Sequence, residues 1–322
     1  MRLVDVLLAR LGARDPMFTE GWGDRADLEA LVRGGLAAPR GEAVTLEDER
    51  PAARARARRA VDRAFDSPAE AWLPREVARA RVRHYPARNT SRGALVVLAA
   101  SREEGYDLRE AIWAPLAERE RVDVFLLENA YYGARRARGQ RSASLPTVLD
   151  QLRMSVATVA EVDGLVRRLE LDGFGRVGVT GYSMGGAIAA LAGALVRRPF
   201  AVVPMAATLR PSTIYTEGLL SRSVAFDALD PSPAEGRRRL AELFGVADMS
   251  RFPPPVAVEA SVLVGARSDG FVSREGTLGL ARHWGAELRW IRGGHVSALF
   301  SGRRAMRRAA LDALERLGRA QS

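Results

Sequence analysis

A doubly wound α/β fold on a mostly parallel sheet is what this chain predicts, on three observations. Short apolar runs recur, among them GALVVLAAS at 93–101, VDVFLLENA at 122–130 and FAVVPMAAT at 200–208. Such runs suit strands buried on both faces of a parallel sheet. Stretches of helical length and pattern separate them, and strands alternating with helices wind into that architecture. The third observation is the turn GVTGYSMGGA at 178–187, where a strand stops at a glycine-flanked serine and a helix starts at once.

Residues 1–60 read as a helical N-terminal extension, in which RADLEALVRGGL forms a helix ending at Gly34 and Gly35. EVARARVRHYPA (76–87) alternates apolar and polar before Pro86, the period of a strand. The run at 93–101 is the next strand. GYDLREAIWAPLAERER follows as a helix that Pro115 bends or starts, and 122–130 is a strand. A long amphipathic helix covers 147–171, a strand 175–183, a helix of small residues 184–198 and a strand 200–208. The interval 209–255 breaks the alternation. It reads as a cap inserted over the carboxyl ends of the strands, where ligands bind in such sheets. After it come a strand (260–269), the helix SREGTLGLARHWG, a strand (286–294) and a closing helix, GRRAMRRAALDALERL. The organisation expected is the extension at 1–60 and one α/β domain at 61–322 that carries the cap.

Composition excludes several classes. Apolar residues make up 47% of the 322, enough for a substantial core. Mean hydropathy is −0.11 and no apolar run has the length of a membrane span. The start, MRLVDVLLARLGARDP, has a short apolar patch broken by Asp5 and no small-residue cleavage site. No secretory signal is expected, and the cytoplasm is the expected compartment. The absence of cysteine excludes disulfides, thiol nucleophiles and thiolate metal sites. Net charge is +10, and all 49 basic residues are arginine. With no nucleic-acid motif beside it, this charge reads as a solvated, arginine-biased surface, and no nucleic-acid partner is expected. Peripheral contact with an anionic membrane is the minority reading. The densest basic stretch, RPAARARARRAVDR (50–63), reads as an exposed helix start.

Chemistry centres on Ser183. A glycine-flanked serine between a strand and a helix is held in a strained backbone turn, with its hydroxyl proud of the sheet beside a helix N-terminus. A phosphate-binding loop is excluded because GYSMGG lacks the Gly-Lys-Ser/Thr ending. A serine of ordinary acidity needs a base. Of three histidines, His84 lies in the early strand and His283 inside a helix. His295 follows the last strand in the loop IRGGHVSALF, so it is the expected base. The acid should fall between them after a strand, where SVLVGARSDGFVS supplies Asp269. Asp230 and Asp248 fall in the cap, and Glu259 precedes its strand. Asp269 as a mere helix cap is the competing reading. The Met184 N–H is the expected first oxyanion donor, and Ala100 or Ser101, after the strand at 93–101, the second. Glu128, Asn129, Tyr131, Tyr132 and Gly133 follow a strand at its carboxyl end. They either line the substrate pocket or pack under the cap, with Glu128 paired to Arg135 or Arg136. Tyr215, in the cap, has the same two readings. Three scattered histidines make no metal site, and no cofactor is expected.

LLENAYYGARR (126–136), GVTGYSMGG (178–186), STIYTEGLLSRSV (212–224), GGHVSALF (293–300) and FTEGWG (18–23) resemble the alpha/beta hydrolase domain-containing protein 18 family over nearly the whole chain. The resemblance implies an alpha/beta-hydrolase fold and a serine hydrolase. For eukaryotic members it implies acyl-ester removal from mitochondrial phospholipids. After the strand at 94–99 the chain reads AASREEG, where the family has a glycine-containing run.

The expected activity is cleavage of a carboxylic ester, of a small molecule or a lipid, through an acyl-enzyme. An acyltransferase using the same three groups, or a hydrolase fold that only binds, are the alternatives. Epoxide and haloalkane hydrolases usually want a carboxylate at the nucleophile position, and here it is serine.

Overall fold

The computed structural model describes residues 2–34, 36, 41–49 and 60–321. Among these residues nine strands form one sheet in the order β1-β2-β3-β5-β4-β6-β7-β8-β9. Strands β4 (Gly93–Leu98), β5 (Val122–Leu127), β6 (Val177–Tyr182), β7 (Ala201–Met205), β8 (Val262–Ala266) and β9 (Glu287–Ile291) run parallel. Antiparallel strands β1 (Glu47–Asp48), β2 (Val61–Asp66) and β3 (Arg79–Tyr85) extend the edge beside β5. Every residue of β4, β5 and β6 is buried, which explains their unbroken apolar character.

Side chains that alternate along each strand feed two layers. Val96 and Leu98 join the core beneath α4 (Val148–Leu171) and α5 (Met184–Leu195). Leu95 and Val97 join the opposite core, beneath α3 (Asp107–Arg119) and α11 (Arg303–Ala320). The long helix α4 starts at Thr147, whose hydroxyl accepts the Asp150 N–H at 3.0 Å. The remaining sheet-flanking helix, α9 (Arg274–Trp284), starts at Ser273, which accepts the Gly276 N–H at 3.0 Å.

Strand β4 lies between β5 and β6, so the chain leaves it in one direction and returns on the other side. That reversal opens a crevice at the carboxyl ends of the strands. Short helices α6 (Ser212–Thr216) and α7 (Phe226–Leu229), with α8 (Pro233–Phe244), fill the interval between β7 and β8. At the front of the chain lie α1 (Arg2–Gly12) and α2 (Arg25–Arg33). Between them the chain bonds to the cap interval through Met17 N–H to the Ser223 carbonyl, and to the loop before α4 through Phe18 N–H to the Leu145 carbonyl. Helix α10 (His295–Ser301) precedes α11.

One expectation needs correction at the basic stretch. Residues 50–59 lie outside the described residues, but Val61–Asp66 is strand, not helix. Its acidic residues pair across to β3, Asp62 with Arg83 and Asp66 with Arg79. Charges at these spacings are strand partners, and cross-strand pairs are invisible in a local reading. Pro115 neither starts nor ends α3 but sits inside it.

Candidate active site

Ser183 caps β6 and opens α5 with φ 57° and ψ −120°, a conformation that a side chain adopts only under constraint. The constraint is close packing. A Cβ on Gly181 would sit 2.4 Å from the Gly185 backbone, and one on Gly186 would sit 2.2 Å from the Met205 carbonyl oxygen. Only glycine lets the turn fold that tightly, and the turn raises the hydroxyl above the sheet.

Its two partners arrive from the ends of the next strands. His295 Nε2 lies 2.8 Å from Ser183 Oγ, and His295 Nδ1 lies 2.8 Å from Asp269 Oδ2. The other oxygen of Asp269, Oδ1, accepts the N–H groups of Phe271 and Val272 at 2.8 and 2.9 Å. Asp269 thus braces its own turn and partners His295; the cap of the next helix is Ser273, so the reading of Asp269 as a mere helix cap does not hold. The imidazole sits between Tyr182 and Phe271, with ring centroids 5.1 and 4.9 Å away. His84 is elsewhere, stacked on Phe125 and bonded to Asp123, and His283 Nε2 meets the Phe252 carbonyl.

The Met184 N–H heads α5 in the first turn, where N–H groups have no intrahelical acceptor. The loop after β4 is braced by charge. Glu103 accepts the Ala100 N–H at 3.0 Å and Arg109 Nε at 2.9 Å, while Arg109 Nη1 also reaches the carbonyls of Val97 and Leu127. The Arg102 N–H goes to Tyr132 Oη. Ala100 therefore has its N–H engaged, while Ser101 lines the cavity beside Ser183 and Met184. The SREEG segment supplies with Glu103 the rigidity that a glycine run does not.

From Ser183 a narrow apolar cavity of about 80 Å³ runs between α5, α4 and the cap. Met184, Ala187, Ile188 and Leu191 line it along one face of α5, and Ile214, Tyr215 and Phe244 roof it. That spacing is the one that places residues on a single helical face.

Of the six residues with a pocket-lining reading, Glu128, Asn129, Tyr131, Tyr132, Gly133 and Tyr215, only Tyr215 lines this one. Tyr132 lies behind it, its hydroxyl 3.8 Å from Met184 Sδ, and burial pushes its acidity down to a pKa of about 12. Tyr131, at φ 66°, turns into the core. Glu128 is buried and burial raises its pKa; Oε1 accepts the Ala134 N–H at 3.3 Å. Its carboxylate is not paired to Arg135 or Arg136; Arg135 Nη1 donates to the Glu128 backbone carbonyl instead, at 2.8 Å. Arg135 makes a buried two-pronged bond to Glu161, and Arg136 pairs with Glu104. The chain turns inward after β5 because Gly133, at φ 50°, leaves room for the Glu128 carboxylate, which a Cβ there would meet at 2.0 Å. Neither Asp5 nor the Tyr182 hydroxyl figured among the expected site residues, and both touch the backbone of His295.

Among the described residues no three His, Asp or Glu side chains could hold a metal, and no helix is long and apolar enough to cross a membrane.

Comparison with known proteins agrees with this fold. The family model described as alpha/beta hydrolase domain containing 18 matches residues 15–236 and 233–316. Among solved structures the chain is similar to acetyl xylan esterase 1 from Thermoanaerobacterium sp., with TM-score 0.58 and 14% identity over 92% of this chain and 96% of that one. It is also similar to the acetyl xylan esterase from Paenibacillus sp. R4, with TM-score 0.56 and 16% identity over 91% and 96%. Est1E from Butyrivibrio proteoclasticus gives TM-score 0.52 and 17% identity over 74% and 95%. At these identities the likenesses show the fold, which is that of the alpha/beta hydrolases.

Proposed function

Because the chain belongs to the alpha/beta hydrolase domain containing 18 family, we propose that it is a serine hydrolase that cleaves a carboxylic ester with an apolar acid part, by way of an acyl-enzyme. One observation carries this reading: the unbroken hydrogen-bond chain Ser183–His295–Asp269, with both links at 2.8 Å, hung on a strained turn at the floor of an apolar cavity.

Ser183 Oγ attacks the ester carbonyl as its proton passes to His295 Nε2. Asp269 accepts from Nδ1, fixing the tautomer with Nε2 free as acceptor and stabilising the imidazolium that forms. The N–H groups of Met184 and Ser101 face the developing oxyanion, each such donor being worth about 3–4 kcal/mol in a water-poor site. The imidazolium then protonates the departing alcohol. Water, deprotonated by the same imidazole, attacks the acyl-enzyme and releases the acid and Ser183.

The cavity supports an apolar acid part, because its wall along α5 and its roof offer mostly carbon surface, which pairs with alkyl chains without leaving polar groups dry. An extended fatty acyl group, from a small ester or a lipid, suits that space. The test is a fluorophosphonate probe on wild-type protein and Ser183→Ala, with a panel of carboxylic esters followed by mass spectrometry. The expected result is covalent labelling at Ser183 and ester cleavage lost in the variant. Folded wild-type protein that is neither labelled nor active on any ester overturns the reading.

A further inference from the structure

Asp5 is fully buried, at 0% exposure, in a helix whose outer side chains are not. Val4, Leu7, Leu8 and Leu11 of α1 are exposed, and among its described side chains only Asp5 and Ala9 are buried. Among its described side chains the helix is therefore docked by a carboxylate, beside buried Ala9 and half-buried Val6. Asp5 Oδ2 accepts the N–H of Gly270 at 3.0 Å and of His295 at 2.8 Å, and Oδ1 accepts the N–H of Val296 at 3.0 Å. Gly270 directly follows Asp269. A single side chain thus ties the loop of the acid to the first residues of the helix that carries the base, from 265 and 290 residues away in sequence.

The surroundings are shaped for it. Gly294 caps α10 and has no side chain with which to accept the first N–H groups of that helix, a task that usually falls to Ser, Thr, Asn or Asp at that position. Asp5 accepts in its place. A Cβ on Gly294 would lie 2.6 Å from Asp5 Oδ2, and one on Gly270 would lie 3.2 Å from it. Both glycines beside the acid and the base leave space for the same carboxylate. Burying a carboxylate costs several kcal/mol before its bonds are counted, so an apolar residue would dock α1 more cheaply. What the apolar residue could not do is hold those N–H groups.

We propose that Asp5 is a positioning residue that fixes the Asp269 loop and the start of α10 in one register, so that His295 stays within reach of Ser183. The proposal rests on the serine-hydrolase reading. Without the carboxylate the two loops keep the Ser268 N–H to Gly293 carbonyl bond and the Asp269–His295 bond but lose the shared hold on Gly270, His295 and Val296, and a displacement of about 1 Å between reacting groups can cost on the order of 100-fold in rate.

Asp5→Asn and Asp5→Ser remove the charge, and Gly294→Ala keeps the carboxylate but crowds it out of place. The measurement is the labelling of Ser183 by a fluorophosphonate over a range of probe concentrations, which separates the maximal rate kinact from the binding constant KI. Near-UV circular dichroism reports the fold. The expected result is three folded proteins with kinact lowered roughly 10- to 100-fold and KI nearly unchanged, a split that a general loosening of the structure would not give. Unchanged kinact, a rise in KI alone, or failure of all three variants to fold would each overturn the proposal, the last because Asp5 would then be holding the fold instead of placing the base. A wild type that is labelled normally beside variants labelled at the same rate strikes only this proposal; an unlabelled wild type strikes the hydrolase reading and this one together.

Discussion

The hydroxyl of Tyr182 donates a 2.5 Å hydrogen bond to the backbone carbonyl of His295. The residue just before Ser183, the proposed nucleophile, therefore holds His295, the proposed base. Burial, with the nearby charges of Asp269 and Asp5, pushes the Tyr182 phenol far above its ordinary pKa, so it remains a donor at any working pH. Tyr182→Phe keeps the ring against the imidazole and deletes only the bond. The expected loss is about 1 kcal/mol of stability and roughly a tenfold drop in kcat at unchanged KM, if about one hydrogen bond's worth of placement is lost with it. Urea denaturation and steady-state kinetics measure both. A kcat equal to wild type would leave His295 governed by its other contacts.

Asp269 makes a sharper case, because its two oxygens do different work. Asn at this position keeps an oxygen for the Phe271 and Val272 N–H groups and turns an amide NH₂ toward His295 Nδ1. The imidazole must then carry its proton on Nε2 and cannot accept from Ser183. Asp269→Asn should fold with stability within about 1 kcal/mol of wild type yet lose roughly 10³- to 10⁴-fold in kcat. A loss below tenfold would mean that the carboxylate does not set the tautomer.

Strands β4 to β8 were legible because strands buried on both faces read as apolar runs whatever surrounds them. VDRAFD was not, since an edge strand held by Asp62–Arg83 and Asp66–Arg79 pairs looks like any charged surface segment. Ser183, Asp269 and His295 could be found because a strand-to-helix serine turn, an acid after a later strand and a histidine after the last one each leave a local mark. Asp5 leaves none: its partners are backbone N–H groups hundreds of residues away, and nothing in MRLVDVLL announces them. Glu128 and Tyr131 left two readings open for a related reason. They sit at the carboxyl end of a strand, where pocket residues belong, but Gly133 turns the chain so that both point into the protein.

Glu128 yields a stability prediction with a definite sign. Its Oε2 is buried without a partner, and burial raises its pKa above the ordinary glutamate value of 4.5. A carboxyl with a raised folded-state pKa ionises first in the unfolded chain, so it lowers stability as pH climbs through 4.5 toward the folded value and beyond. Glu128→Gln keeps the oxygen that meets the Ala134 N–H and removes the charge. Its melting temperature should exceed that of wild type at pH 8, and the gap should shrink as pH falls below 4.5. A gap that is constant across pH, or reversed at pH 8, would show that the folded protein stabilises the ionised form.

The wall of the cavity sets a length for the acid part of the substrate. Eight residues of α5 separate Ser183 from Leu191, the last of its residues to line the space, and at about 1.5 Å per residue they span roughly 12 Å. An extended alkyl chain built of bonds of about 1.5 Å, folded in a zigzag, covers that distance with roughly eight to ten carbons. Leu191→Trp places an indole across the far end and leaves the Ser183 end untouched. On a series of p-nitrophenyl esters, wild-type kcat/KM should peak near octanoyl to decanoyl. The variant should lose most of its activity on those while keeping its rate on butanoyl, because the short chain never reaches position 191. If both proteins favour acetyl, or if the two profiles coincide, the acid part does not lie along α5 and the cavity houses something else.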